Sequence, residues 1–284
     1  MPAAPETSGA VIPPRTRAYC REKGVSDEEM RRIPAPTGKL MPADVDGYLK
    51  IKQDREAEAI ALAGGAADYV ERPLSQQHRV FIFRLRRSAQ LVVPAVAKRT
   101  LRWGGIRHFA DVCRERGLPV QPSAFQTFAY CVAQAAKEHP RFRSTLIGEE
   151  TIREFAHLHL GIAVAQPDGE LTTAVVHDAD ALDFDTFVRT AQASIQRARE
   201  GENQVDDATQ LHLTYLGPYE IIDAIPVLVA PAAAILFIGS AFPQDGELMV
   251  NLVLTIDHRL IHGIEAAQFL RTVVEKCAEV DRWA

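Results

Sequence analysis

Apolar residues recur every three or four positions in several stretches of this 284-residue chain, the spacing of helices with one buried face. In Pro122–Glu138 the shared side carries Phe125, Phe128, Ala129, Val132 and Ala136. In Phe184–Arg199 it carries Phe184, Phe187, Val188, Ala191 and Ile195, and a last helix is predicted over Ile264–Val280. Between them lie shorter apolar runs of strand length: Phe155–Ala165, Leu171–Val176, Leu211–Leu216, Ala232–Gly239 and Leu248–Ile256. Gln166-Pro167-Asp168-Gly169 reads as the turn joining the first two. Helices and strands interleave, but hairpin turns and long crossovers are mixed. That combination predicts an α/β fold, a two-layer mixed sheet covered by helices, rather than a regular doubly wound one.

The N-terminal quarter has a different texture. Residues 1–14, rich in Pro and Ala, read as a flexible tail. Residues 15–50 read as a compact helical unit. Arg15–Lys23 is helix-compatible and Gly24 can end it. Ser26 and Glu29 have capping-box spacing for a short second helix, which Pro34-Ala35-Pro36-Thr37-Gly38 breaks. Pro42 suits the first turn of another helix, with Val45, Tyr48 and Leu49 on one face. Residues 51–72, with Ala61–Ala67 and Gly64-Gly65, read as a partly helical linker to a main domain over 73–284.

Composition narrows the function classes. A net charge of -5 is not that of a nucleic-acid binder. No apolar run approaches the roughly 20 residues of a bilayer span, and the first residues lack a signal peptide's pattern, so the expected compartment is the cytoplasm. Cys20, Cys113, Cys131 and Cys277 form no CxxC pair, which argues against a zinc knuckle or a redox dithiol. There is no nucleotide-binding glycine loop.

Candidate chemistry gathers where the strand ending at Ile256 leaves the sheet, in Asp257-His258-Arg259-Leu260-Ile261-His262-Gly263. An imidazole titrates near neutral pH and suits a general base. By spacing alone a lone His beside Asp and Arg more often belongs to a surface salt-bridge cluster. His258 and His262 also have the i, i+4 spacing of a zinc pair, but they straddle a strand–helix junction with no third ligand in view, so no metal site is expected.

Longer-range matches change this reading. Asp257–Gly263, followed by Ala266-Ala267-Gln268-Phe269-Leu270, resembles the Asp-His-Arg-x-x-(Asp or Asn)-Gly and Ala-Ala-x-Phe-Leu signature of dihydrolipoamide acyltransferases, the acyltransferase components of 2-oxo acid dehydrogenase complexes. Gly161-Ile162-Ala163-Val164 and His177-Asp178-Ala179-Asp180 are similar to the family's Gly-Ile-Ala-Val and Lys-Asp-Ala-Asp. Leu211-His212-Leu213-Thr214-Tyr215-Leu216-Gly217 resembles its Phe-Thr-Ile-(Ser or Thr)-Asn-Leu-Gly, and Pro231–Leu236 its Pro-Pro-Glu-Val-Ala-Ile-Leu. Pro73-Leu74-Ser75 and Arg84 match the domain's opening. The matches stay collinear over about 210 residues.

The resemblance implies a chloramphenicol acetyltransferase-like fold and transfer of an acyl group between coenzyme A and a thiol. It implies His258 as the base and Thr214 as the hydroxyl facing the oxyanion, brought together from neighbouring subunits of a homotrimer or a larger assembly of trimers. Arg84, Lys98 and Arg99, with Arg86 and Arg87, are candidate contacts for coenzyme A phosphates. Residues 15–50 resemble the family's peripheral subunit-binding domain, which implies partner-enzyme binding there, although Lys39 stands where Arg is usual.

Three departures matter. His262 replaces the Asp or Asn four residues after the base; it either keeps the structural hydrogen bond, reshapes the pocket, or leaves the protein catalytically silent. Tyr215 and Phe237 are expected to add bulk near the site. No lipoyl domain with its modified lysine is found, so an acyl lipoamide is expected to be supplied in trans, or a small-molecule acceptor to replace it. The alternative function is a silent oligomeric scaffold that assembles partner enzymes.

Overall fold

The computed structural model describes residues 11–35, 39–62, 69–148, 150–166 and 169–283. The expectations for residues 1–10, Pro36-Thr37-Gly38, Gly64-Gly65 and Pro167-Asp168 lie outside the described residues. Two compact units form, Met1–Pro73 and Leu74–Ala284.

The first unit holds α1 (Pro14–Glu22), α2 (Asp27–Arg32) and α3 (Pro42–Leu62). Gly24 takes a φ of 72° after α1, a conformation in which a side chain is strained. The capping box forms: Ser26 Oγ accepts from the Glu29 amide at 3.2 Å, and the Glu29 carboxylate accepts from the Ser26 amide at 3.0 Å. Cys20, Val25, Met30, Ile33, Leu40 and Val45 make a small separate core. Helix α3 continues to Leu62, into the segment expected as linker.

The second unit contains α4 (Gln76–Leu91), β1 (Pro94–Arg102), α5 (Gly104–Glu115), α6 (Ala124–Glu138), β2 (Ser144–Ile147), β3 (Thr151–Glu154), β4 (Leu160–Ala165), β5 (Leu171–Val176), α7 (Phe184–Arg199), β6 (Leu211–Tyr215), β7 (Ala234–Ile238), β8 (Phe242–Gln244), β9 (Glu247–Asp257) and α8 (Gly263–Ala278). The main sheet runs β1-β9-β7-β6-β4-β5, with β8 paired to the start of β9. Pairings β7·β6 and β6·β4 are parallel and the others antiparallel. This is the mixed sheet that the interleaved pattern predicts.

Alternation along the strands assigns the two faces. Leu211, Leu213, Leu236, Ile238, Leu252 and Leu254 enter one continuous core with the apolar sides of α5 to α8. Phe142 and Phe269, both fully buried, stack at 3.8 Å between ring centroids. Phe269→Ala is therefore expected to cost about 3–5 kcal/mol of stability. Urea unfolding reads this directly, and a loss below about 1 kcal/mol would contradict the packing described.

Where the observed elements depart from the pattern, side-chain hydrogen bonds explain two cases. Helix α6 starts at Ala124 because Ser123 caps it, accepting from the Gln126 amide at 3.2 Å. The predicted strand Phe155–Ala165 begins only at Leu160, because the amides of Leu158 and His159 donate instead to Asp180 (2.8 Å) and Gln210 (2.7 Å).

Candidate active site

Strand β9 ends where its apolar run ends. The Asp257 amide donates to Ala233 O at 3.0 Å and the His258 amide to Val93 O at 2.8 Å, while the amides of Leu260 and Ile261 both donate to Asp257 O at 2.9 Å. This pins a tight turn whose buried members are Asp257, Leu260 and Ile261. The Asp257 carboxylate accepts from the Arg259 amide (3.1 Å), Nε (3.0 Å) and Nη2 (2.6 Å). A bidentate, largely buried pair of this kind fixes geometry as well as charge. Between the two clamped residues, His258 is exposed. Its backbone is held and its imidazole is accessible, which is what a proton acceptor needs.

His262 is the N-cap residue of α8, and its amide donates to the Glu265 carboxylate at 2.8 Å. Its ring lies 5.8 Å from that of His258, centroid to centroid. Among the described residues, no group of three or more His, Cys, Asp or Glu side chains is arranged to hold a metal ion.

Thr214 lies elsewhere. It pairs with Phe237 on β7, and Phe237 pairs with Val253 on β9, five residues before His258. At about 3.3 Å per residue and 4.8 Å per strand, the two side chains stand on the order of 19 Å apart within one chain. Thr214 instead lines a cavity of about 650 Å³ on the sheet face opposite the helical core. One face of α4 (Val80, Phe81, Arg84, Leu85), the segment Ala224–Ala232, and Ile235 and Phe237 of β7 form its walls. The Ala230 amide donates to Ser88 Oγ at 2.9 Å, tying this segment to α4.

His212, two residues before Thr214, shares its face and also lines the cavity. Its ring fills the space above Gly161, its register partner: a Cβ there would sit 2.5 Å from Nδ1. Burial first, and the Arg84 guanidinium second, push the His212 imidazole down from 6.5 to about 4. The unfolded chain therefore takes up a proton between those values that the folded chain does not, and stability falls as pH drops through that window, by at most about 1.4 kcal/mol per pH unit. The fall in urea midpoint from pH 6.5 to 4.5 should be smaller in His212→Gln than in the wild type. Equal falls would count against a buried neutral imidazole.

Residues 66–283 match the model of the 2-oxoacid dehydrogenases acyltransferase (catalytic domain) family. The chain belongs to this family. Among its relatives, the dihydrolipoyllysine-residue acetyltransferase component of the acetoin cleaving system of Bacillus subtilis is 26% identical over 92% of this chain and 67% of that protein. The corresponding component of the pyruvate dehydrogenase complex of Azotobacter vinelandii is 28% identical over 98% of this chain and 48% of that protein. The chain thus spans about half to two-thirds of the length of these relatives. A probable dihydrolipoamide acetyltransferase from Listeria monocytogenes superposes with a TM-score of 0.67 at 25% identity, over 76% of this chain and 97% of that one. That structure shares the fold of the second unit.

Within this family member the structure separates the basic residues that the sequence groups as phosphate contacts. Arg84 lines the Thr214 cavity. Lys98 pairs with Val253 and so shares the Thr214 face, where its ammonium meets Asp223 at 2.8 Å. Arg99 alternates to the opposite face, alongside Ala95 and Ala97, which pack on the helical core. Arg86 and Arg87 are exposed on α4 and do not line the cavity. Phe237 adds bulk beside Thr214 as expected. Tyr215 does not: its ring turns into the helical layer and stacks on Phe125 at 5.2 Å, because consecutive strand residues face opposite ways. His212 was missed, although it stands where the family's quoted motif has Thr.

Proposed function

We propose that this protein is a coenzyme A-dependent acyltransferase that exchanges an acyl group between coenzyme A and the thiol of dihydrolipoamide. His258 takes the proton from the attacking thiol, and the thiolate adds to the thioester carbonyl. The Thr214 hydroxyl donates to the oxyanion of the tetrahedral intermediate. On collapse the C–S bond to the leaving thiolate breaks, and the imidazolium returns its proton to that sulfur. The observation that carries the reading is the exposed His258 on a turn clamped by the part-buried Asp257–Arg259 pair, in a chain that belongs to the family.

The separation of Thr214 from His258 within one chain supports a site assembled from two copies, hence a homotrimer or a larger assembly of trimers. One solved relative is the cubic core of a pyruvate dehydrogenase complex. His262 keeps α8 started through its backbone, which supports an intact loop despite the change from Asp or Asn. Lys98, which shares the Thr214 face, is our candidate for meeting coenzyme A phosphates, in exchange for its pairing with Asp223, and residues 15–50 are our candidate segment for partner-enzyme binding.

The test is turnover of acetyl- and longer acyl-coenzyme A with free dihydrolipoamide, alongside the mass of the assembly. Thioester exchange by a species of at least three copies is expected. An assembled protein with no turnover on any acyl donor would overturn the enzyme reading in favour of a silent scaffold.

A further inference from the structure

The cavity beneath α4 contains two basic groups that, among the described residues, have no side-chain partners of their own. Among the described residues, the Arg84 guanidinium makes no ion pair, and the His212 imidazole makes no hydrogen bond. Both line a space whose other walls are largely apolar, including Ile225, Val227, Val229 and Phe237. An unpaired guanidinium against apolar walls is costly, whereas one that receives an anion there gains a strong charge-assisted bond. We propose that Arg84 and His212 form a carboxylate-binding subsite, and that the acyl group transferred at Thr214 ends in a carboxylate.

This rests on the acyltransferase reading and adds the acyl class to it. His212 and Thr214 are residues i and i+2 of one strand, roughly 7 Å apart, an interval that a four- or five-carbon dicarboxylic acyl group spans. With the thioester carbonyl at Thr214, the far carboxylate reaches the Arg84 guanidinium and the His212 N–H. The other titratable groups facing the cavity are His78, Glu170, Asp206 and Asp207. Two of these carboxylates have hydroxyl partners: Asp206 accepts from Thr209 at 3.0 Å, and Glu170 from Ser75. Burial and Arg84 favour the neutral imidazole, and an arriving carboxylate favours its protonated form. His212 is thus a second donor that strengthens once the ligand is in place.

The experiment compares kcat/KM for succinyl- and glutaryl-coenzyme A with butyryl- and valeryl-coenzyme A, using the full chain and free dihydrolipoamide. The carboxylated donors are expected to be favoured by about tenfold or more, the scale set by an unpaired polar site rejecting an analogue that lacks the matching group. In His212→Thr and Arg84→Gln the ratio should fall towards one. A second readout needs no turnover: the His212 imidazole resonance, assigned by its loss in His212→Thr, should titrate at higher pH with succinate or glutarate and not with butyrate. No preference among donors, or a preference that survives both substitutions, overturns the subsite. A resonance that ignores the dicarboxylates does the same. If no donor turns over but the resonance responds, the subsite stands and the acyltransferase reading fails.

Discussion

Replacing His258 by alanine is expected to lower kcat/KM for acyl transfer by about 100- to 10,000-fold, the usual contribution of a positioned general base. The turn itself should survive. Its geometry rests on backbone bonds of residues 257, 258, 260 and 261 and on the Asp257–Arg259 pair, none of which uses the imidazole. His258 is exposed, so truncating it leaves no core cavity, and exposed substitutions away from such features usually change stability by less than about 0.5 kcal/mol. The paired measurement is thus an activity assay and a urea midpoint on the same preparation. Activity lost with an unchanged midpoint is the expected result. Activity retained within a few-fold would remove His258 from the mechanism.

Thr214→Ala is expected to reduce kcat by about 100- to 1000-fold with a smaller change in KM, since an oxyanion donor acts mainly in the transition state. Thr214→Ser keeps the hydroxyl and should stay close to wild type, and an equal loss in both would assign Thr214 to packing. The register makes a sharper test available. Thr214 and His258 are far apart in one chain, so a site that uses both must take one group from each of two copies. Random mixing of Thr214→Ala with His258→Ala chains should then regenerate about a quarter of the sites, because each heterologous interface joins two independent choices. No recovery after verified subunit exchange would mean that the two residues do not share a site.

How far the site was legible depended on which physical rule governed each residue. The turn at Asp257–Gly263 was readable because its determinants are local: an apolar strand, a short polar turn and a helix start lie within a dozen residues. His212 was not. Its role comes from Gly161, its partner on a strand some fifty residues earlier, and from Arg84 on a helix that the pattern did not predict. Helix α4 and strand β1 escaped notice for a related reason: both are exposed along much of their length, so the contrast of buried and exposed positions that reveals α6 and α7 is weak there.

By itself the sequence determined the helical core elements, the mixed α/β class, the capping box at Ser26 and the identity of His258 and Thr214 as the residues to watch. All of these follow from periodicity, local turn chemistry or collinear likeness. Tertiary structure alone decided which residues meet. It turned Tyr215 into the core, sent Lys98 and Arg99 to opposite faces, placed Arg84 beside His212, and kept Thr214 far from His258. The reason is that strand pairing and register set these distances. Register is fixed by contacts between segments remote in the chain, and a shift of one residue exchanges the two faces of a strand.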